Sequence, residues 1–238
     1  MFAAALAMVG AAWVTAAGQQ TYPVAVTNDE AGFETIFDEK TLTGWEGDPT
    51  YWRVEQGMLV GEVTPATLLK RNSFIIWRGG VTKDFELKLS FRISAQGNSG
   101  VNYRSVEIPD QPWAMRGYQF DLDGPDRYTG NLYEERGRTF MALRGQITRA
   151  VAPGAREIIG SVGDLATLQP FTKRDDWNDV HIIARGGVLL HLLNGRLMCQ
   201  VVDLDPDLRR LDGLLGVQVH VGPPMKVEYR NIRLKVLP

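Results

Sequence analysis

Polar side chains recur at alternating positions between residues 98 and 144, within segments that otherwise have the composition of β-strands. Successive side chains of a strand point to opposite faces, so this alternation gathers the polar groups on one surface of a sheet. Carboxylates, amides and guanidinium groups on one surface can bind sugar hydroxyls and transfer protons, although the solvated face of an ordinary sheet has a similar composition. The candidate residues of this stretch are Asn102, Arg104, Gln119, Asp121, Tyr133 and Glu134.

The carboxylates of this stretch are not equivalent. Asp121 lies deeper in its predicted strand than Asp123, which precedes a Gly-Pro turn, and an aspartate next to a turn often bonds nearby backbone. Glu134 and Glu135 are adjacent, so in a strand they point to opposite faces and only one can join the polar surface. We predict that Asp121 and Glu134 serve the site, with a structural ion pair as the alternative for Glu134.

The segment GVQVHVG adds two further candidates. Gln218 and His220 alternate there with valines, so both side chains can face the polar surface. Histidine titrates near neutral pH, which suits proton transfer. His181 and His191 lie in apolar strands and are expected to be structural. We predict no metal site, although a divalent cation such as calcium, held by the carboxylates, is the alternative; no EF-hand-like loop is present.

The composition favours one large β domain. The chain has 238 residues, 44% of them hydrophobic, and a net charge of −2, which gives no basic excess for nucleic acid. Cys199, the only cysteine, lies in an apolar strand and is expected to be a buried thiol. A single cysteine excludes a disulfide framework and a thiolate metal site.

The N-terminus has the features of an export signal. Residues 1–18 are apolar, uncharged and rich in alanine, which predicts a signal peptide whose true start lies further upstream, since a basic start is missing. A short membrane anchor is the alternative, but the run is marginal for a span. We expect a flexible leader over 19–31, a single domain over 32–238, no stable membrane insertion after signal removal, and a periplasmic or secreted bacterial protein.

The elements that must position the candidate residues are short strands separated by turns. Residues 85–93 alternate between apolar and polar side chains, which is typical of a half-buried strand. Asn194-Gly195 between two apolar runs predicts a hairpin. Two more strands are predicted over 213–221 and 225–237. This pattern favours an all-β sandwich of two sheets.

Several segments in order resemble the 3-keto-disaccharide hydrolase domain family. They are FETIFDEKTLTGW, WRVEQGMLVGE, DFELKLSFR, NSGVNYR, GYQFDLD, YTGNLYEERGR and GVQVHVGPPMKVEYRNIRLKVL, and together they span 33–237. The resemblance implies a concanavalin A-like, LamG-like jelly-roll sandwich of two antiparallel sheets, with the site on a concave sheet. It also implies bacterial export and a role in sugar breakdown.

The resemblance further implies a substrate, an oxidised disaccharide or glycoside whose C3 hydroxyl has become a ketone. A C3 ketone acidifies the C2 proton, so a base can remove it and the enolate can expel the group at C1. We expect Asp121 or Glu134 as the base, His220 as acid or relay, and Arg104 holding the enolate. Four side chains are expected to bind the substrate: Asn102, Gln119, Tyr133 and Gln218. No cofactor is expected. The alternative is a non-catalytic glycan-binding jelly-roll module, because this architecture supports both functions.

Overall fold

The computed structural model describes residues 30–238 of the chain. The predicted signal peptide over 1–18 and the part of the predicted leader over 19–29 lie outside the described residues. At the end of the predicted leader, Glu30 forms ion pairs with Arg233 and, at 3.0 Å, with Lys88 Nζ. Among residues 30–238, no helix is long and apolar enough to cross a membrane.

The described residues form strands joined by turns, with one short α-helix and one 3-10 turn. The elements are β1 (Glu34–Thr35), β2 (Trp45–Glu46), β3 (Trp52–Glu55), β4 (Met58–Val63), β5 (Ser73–Thr82), β6 (Phe85–Ile93), β7 (Asn98–Glu107), β8 (Met115–Asp123), β9 (Leu132–Glu135), β10 (Thr139–Ala142), β11 (Gln146–Ala152), β12 (Ala155–Ser161), α1 (Leu165–Leu168), the 3-10 turn (Gln169–Phe171), β13 (Asn178–Arg185), β14 (Val188–Leu193), β15 (Arg196–Asp203), β16 (Gly213–Val219) and β17 (Met225–Val236).

Two sheets pack face to face, which confirms the predicted all-β sandwich. Within residues 30–238 a ten-stranded sheet has the order β12-β11-β15-β14-β13-β6-β17-β4-β3, with β1 added on β17. A seven-stranded sheet has the order β10-β9-β8-β7-β16-β5-β2. The pairing is antiparallel apart from β11 beside β15, which run parallel and therefore depart from the purely antiparallel prediction.

The core lies between the sheets and follows the predicted alternation. In β6 the apolar side chains at alternate positions from Phe85 to Ile93 are all buried in it. Cys199 is a buried free thiol, as predicted, and burial raises its pKa. Asn194 and Gly195 both adopt positive φ, at 48° and 76°, between β14 and β15. Positive φ at both central residues is what a two-residue hairpin turn requires, so this prediction is also confirmed.

Candidate functional site

The outer face of the seven-stranded sheet carries a polar surface because side chains alternate along its central strands. In β8, Tyr118 and Phe120 are buried in the core between the sheets, so Gln119 and Asp121 lie on the opposite face. Register partners on the neighbouring strands extend this face. We call this surface the polar floor; it consists of Asn102 on β7, Gln119 and Asp121 on β8, Tyr133 and Glu135 on β9, and Gln218 on β16.

A chain of side-chain hydrogen bonds crosses three strands of the polar floor. Gln218 Nε2 donates to Gln119 Oε1 at 3.1 Å, and Gln119 Nε2 donates to Asp121 Oδ1 at 2.6 Å. The Gln119 side chain packs over Gly100 of the paired strand: a Cβ there would lie 2.3 Å from its Cδ, so glycine makes room for the amide. The two amides therefore fix the orientation of the Asp121 carboxyl and leave its Oδ2 available.

Asp121 is a buried carboxyl, 8% exposed, with no cation bonded to it among the described residues. Burial raises its pKa to about 8, and the charges of Asp123 and Glu135 act in the same direction, while the bond from Gln119 acts against them. A carboxyl with such a pKa is largely protonated at pH 7, so it can donate a hydrogen bond from Oδ2.

Glu135 is the second carboxyl of the polar floor, and the sequence pattern alone did not predict it. It is 6% exposed, and burial raises its pKa. Asn72 Nδ2 donates to Glu135 Oε1 at 3.1 Å, while Asn72 Oδ1 accepts from the Val221 backbone N–H at 3.0 Å. Arg136 Nε lies 3.8 Å from Glu135 Oε1. Asn72 thus joins Glu135 to the segment that carries His220.

His220 is half-buried at the end of β16, where its positive charge would lower the pKa of Glu135. His220 Nδ1 lies 2.6 Å from the Val221 carbonyl oxygen. A carbonyl oxygen only accepts, so Nδ1 carries the hydrogen and Nε2 is the nitrogen left to exchange a proton. This arrangement suits the predicted role of His220 in proton transfer.

Tyr133 lies between the two carboxyls. Its Cα pairs with Gln119 across the β8–β9 ladder, and its ring meets Phe140 edge to face at 5.1 Å between centroids. Burial raises the pKa of its hydroxyl, and the charges of Glu135 and Asp121 add to that shift. The half-buried ring therefore gives the polar floor an aromatic surface between Asp121 and Glu135.

Two acceptor atoms of the polar floor have no protein partner within residues 30–238. They are Asn102 Oδ1 and Gln218 Oε1, both inaccessible to solvent. A buried acceptor without a partner costs about 1–3 kcal/mol. The polar floor is therefore not optimised for stability alone, which is common at functional sites.

Glu134 does not belong to the polar floor, and the structure places it on the core side of β9. Its Oε2 accepts from Arg138 Nε at 2.6 Å, and Arg138 Nη2 also donates to Asp203 Oδ2 of the other sheet at 2.6 Å. This is the structural ion pair that was the alternative for Glu134. Tyr133 and Glu134 are adjacent, so alternation could bring only one of them to the site; in phase with Tyr133 comes Glu135.

Arg104 is also outside the polar floor. A register irregularity between Tyr103 and Val106 interrupts the alternation of β7, and Arg104 itself has a φ of 44°. Its fully buried guanidinium donates to three backbone carbonyls and one carboxylate: Lys83 O at 2.9 Å, Gly186 O at 2.6 Å, Arg210 O at 3.2 Å and Asp84 Oδ1 at 3.0 Å. Arg104 therefore holds loops together, and its guanidinium is not placed to bind an enolate on the polar floor.

The Arg104→Met variant is expected to lose about 1–3 kcal/mol of unfolding free energy, because three backbone carbonyls and the Asp84 carboxylate lose a donor in a partly buried setting. Urea denaturation measures this loss. Unchanged stability together with lost turnover would instead restore Arg104 as a substrate-binding residue.

The remaining predicted positions have structural roles. Asp123 accepts from the backbone N–H groups of Arg127 and Tyr128, both at 2.8 Å, and so shapes its turn as predicted. His191 is fully buried against the Tyr103 hydroxyl, and burial lowers its pKa to about 3. In the part of the chain that the structure describes, no group of three or more His, Cys, Asp or Glu side chains is arranged to hold a metal ion.

Comparison with known proteins gives three relevant likenesses. A curated 3-keto-disaccharide hydrolase of Bacteroides thetaiotaomicron is 32% identical over 259 aligned residues, covering 88% of this chain and 80% of that protein. The crystal structure of a candidate glycosyl hydrolase of Parabacteroides distasonis superposes with a TM-score of 0.58 at 23% identity, over 87% of this chain and 95% of the other. The carbohydrate-binding module CBM66 of Bacillus subtilis superposes with a TM-score of 0.52 at 15% identity, over 81% and 95%.

Both structural likenesses are below 25% identity and concern the fold alone. The family model described as the 3-keto-alpha-glucoside-1,2-lyase-like domain matches residues 32–235, nearly the whole described chain. The match covers both sheets and every residue of the polar floor. The chain belongs to the 3-keto-alpha-glucoside-1,2-lyase-like, or 3-keto-disaccharide hydrolase, domain family.

Proposed function

We propose that this protein cleaves the glycosidic bond of 3-keto-glycosides by removing the C2 proton and expelling the group at C1. The observation that carries the proposal is a pair of buried carboxyls, Asp121 and Glu135, that face the same side of one sheet. Burial raises the pKa of both carboxyls, and it raises that of Asp121 to about 8. Carboxyls tuned in this way are typical of proton abstraction next to a carbonyl.

Glu135 is the proposed base. The C2–H bond breaks, its proton passes to a Glu135 oxygen, and the electron pair forms an enolate with the C3 oxygen. Asn72 holds Oε1 of Glu135, which leaves Oε2 to face the substrate. A raised pKa strengthens the carboxylate as a base, provided that the site is deprotonated at the working pH.

Asp121 in its neutral form is the proposed hydrogen-bond donor to the C3 oxygen. Gln119 occupies Oδ1, so the proton lies on Oδ2 and can stabilise the negative charge that develops on the enolate. The amide chain from Gln218 keeps this carboxyl in place. This role replaces the one first predicted for Arg104.

Collapse of the enolate completes the cleavage. The C3 carbonyl forms again, a C1–C2 double bond forms, and the bond from C1 to the leaving oxygen breaks. That oxygen takes a proton, which we assign to His220 Nε2 in its charged form. The products are the free aglycone and an unsaturated keto sugar, to which water can add so that net hydrolysis results.

We also propose that the mature protein acts outside the cytoplasm, in the periplasm or after secretion. The support is the uncharged, alanine-rich segment over residues 1–18. N-terminal sequencing of the protein from its native cell fractions tests this. Retention of residues 1–18 on a cytoplasmic protein would contradict it.

A second candidate function is glycan binding without catalysis. It is favoured by the sandwich fold that this chain shares with the carbohydrate-binding module CBM66. In that case the polar floor would hold sugar hydroxyls and release no product.

The deciding experiment incubates the full chain with aryl 3-keto-glucosides and follows aglycone release by absorbance and mass spectrometry. Deuterium at C2 is expected to slow release through a primary isotope effect, because the C2–H bond breaks. The matched unoxidised glucoside is the control and is expected to be stable. Binding of both sugars without any release would favour the glycan-binding module.

A further inference from the structure

A cleft of about 270 Å³ opens at the end of the seven-stranded sheet, beside the polar floor. It is lined by Glu107, Ile108, Pro109, Arg116 and Arg136. None of these residues belongs to the catalytic groups proposed above. Its volume approaches the lower end of the range of small-molecule sites, so it can accommodate one compact substituent of a larger ligand.

The cleft has an excess of positive charge. Arg116 is exposed, and its guanidinium group forms no hydrogen bond or ion pair with any residue that the structure describes. Arg136 is also exposed; its Nη1 donates to Gln111 Oε1 at 2.9 Å, and its Nε lies 3.8 Å from Glu135 Oε1 at the far edge of ion-pair range. The carboxylate of Glu107 is already bound by Arg78 through two bonds, at 2.7 and 3.0 Å. Two guanidinium groups therefore face the cleft with one carboxylate that Arg78 neutralises.

The cleft adjoins the polar floor through Arg136, whose Nε lies 3.8 Å from Glu135 Oε1. Gly117 of β8 and Glu135 of β9 are register partners at the end of their ladder. Arg116 precedes Gly117 and Arg136 follows Glu135, so the two arginines extend from the next step of the same pair of strands. The two guanidinium groups carry like charges, whose repulsion an anion bound between them would offset.

We propose that the cleft is a subsite for an anionic substituent, a carboxylate, sulfate or phosphate, on the group released from C1. This rests on the proposed function, which places the C3 oxygen at Asp121 and the C2 proton at Glu135. The ring atoms run in the order C3, C2, C1. With the C3 oxygen at Asp121 and C2 at Glu135, the group on C1 therefore extends past Glu135 towards Arg116 and Arg136. Paired guanidinium groups bind such oxyanions through charge-assisted hydrogen bonds.

The test compares two substrates that differ only in charge: 4-carboxyphenyl and 4-carbamoylphenyl 3-keto-glucoside. For the wild-type full chain, kcat/KM is expected to be about tenfold higher for the carboxylate, a ratio that falls at high salt because the pairing is exposed. In Arg116→Gln the ratio is expected to approach one. The charge control is Arg156→Gln on β12, an exposed arginine of the other sheet, which is expected to keep the wild-type ratio.

A ratio near one in the wild type, or an unchanged ratio in Arg116→Gln, would overturn the subsite while leaving the proposed function intact. If neither 3-keto-glucoside is cleaved, the proposed function fails, and the subsite is then decided by calorimetry with the two unoxidised glucosides. Preference for 4-carboxyphenyl glucoside that is lost in Arg116→Gln would support it, and equal affinity would refute it.

Discussion

The Glu135→Gln variant is expected to cleave 3-keto-glycosides with a turnover rate lowered by about 10³-fold, within the range by which positioned acids and bases accelerate proton transfer. The amide cannot accept the C2 proton, yet it keeps an oxygen to accept from Asn72 Nδ2, the bond that now measures 3.1 Å. The fold and substrate affinity should therefore change little. Stopped-flow assays of aglycone release, together with urea denaturation, measure both quantities.

Glu134→Gln is the matched control because it makes the same change one residue earlier, on the core side of β9. It weakens a buried ion pair with Arg138, which keeps Asp203 and Asp205 as partners. The expected result is a loss of about 1–3 kcal/mol in unfolding free energy, with a turnover rate within about threefold of wild type. The reverse pattern, with turnover lost in Glu134→Gln and kept in Glu135→Gln, would refute the assignment of the base.

The fold could be predicted because its signals are local. Alternation over 85–93 needs only a period of two, and Asn194-Gly195 needs only a turn that tolerates positive φ. The parallel pairing of β11 with β15 has no such signal, since it joins segments about fifty residues apart along the chain. Strand pairing between such distant segments is set by the packing of the whole sandwich and not by a local sequence pattern.

The site was predicted in part. Asp121, Gln119, Gln218, Asn102 and Tyr133 share the polar floor because β8, β7, β16 and β9 are regular where they lie. Arg104 was misplaced because an irregularity in β7 resets the alternation there. Glu134 was chosen over Glu135, although their adjacency shows only that the two side chains point to opposite faces. Glu135 is in phase with Tyr133 along β9, and this was the better guide to which glutamate faces the site.

Replacing Asp121 is expected to give the second large loss of turnover rate, and the size of that loss depends on the residue that replaces it. Asp121→Asn is expected to retain a turnover rate within about tenfold of wild type, because the amide oxygen can accept from Gln119 and the amide nitrogen can donate to the C3 oxygen. Asp121→Leu lacks the donor and is expected to lose about 10²–10³-fold in turnover rate. If Asp121 were instead the base, as the sequence first suggested, Asn and Leu would be equally inactive.

The pH dependence of the same pair of variants tests the neutral carboxyl directly. Because the pKa of Asp121 is raised to about 8, the folded protein binds a proton that the unfolded chain has released between about pH 4 and 8. This residue's contribution to stability is therefore present at low pH and is lost as pH rises, by up to about 1.4 kcal/mol per pH unit inside that window.

Wild-type kcat/KM is expected to fall above about pH 8, where Asp121 ionises and can no longer donate to the C3 oxygen. Asp121→Asn cannot ionise, so its activity should lack this alkaline limb and its unfolding free energy should fall less than that of the wild type between pH 5 and 8. Paired pH–rate profiles and urea denaturation series measure both trends. An alkaline limb retained unchanged in Asp121→Asn would assign that ionisation to another group, and Asp121 would then serve only to position the amide chain.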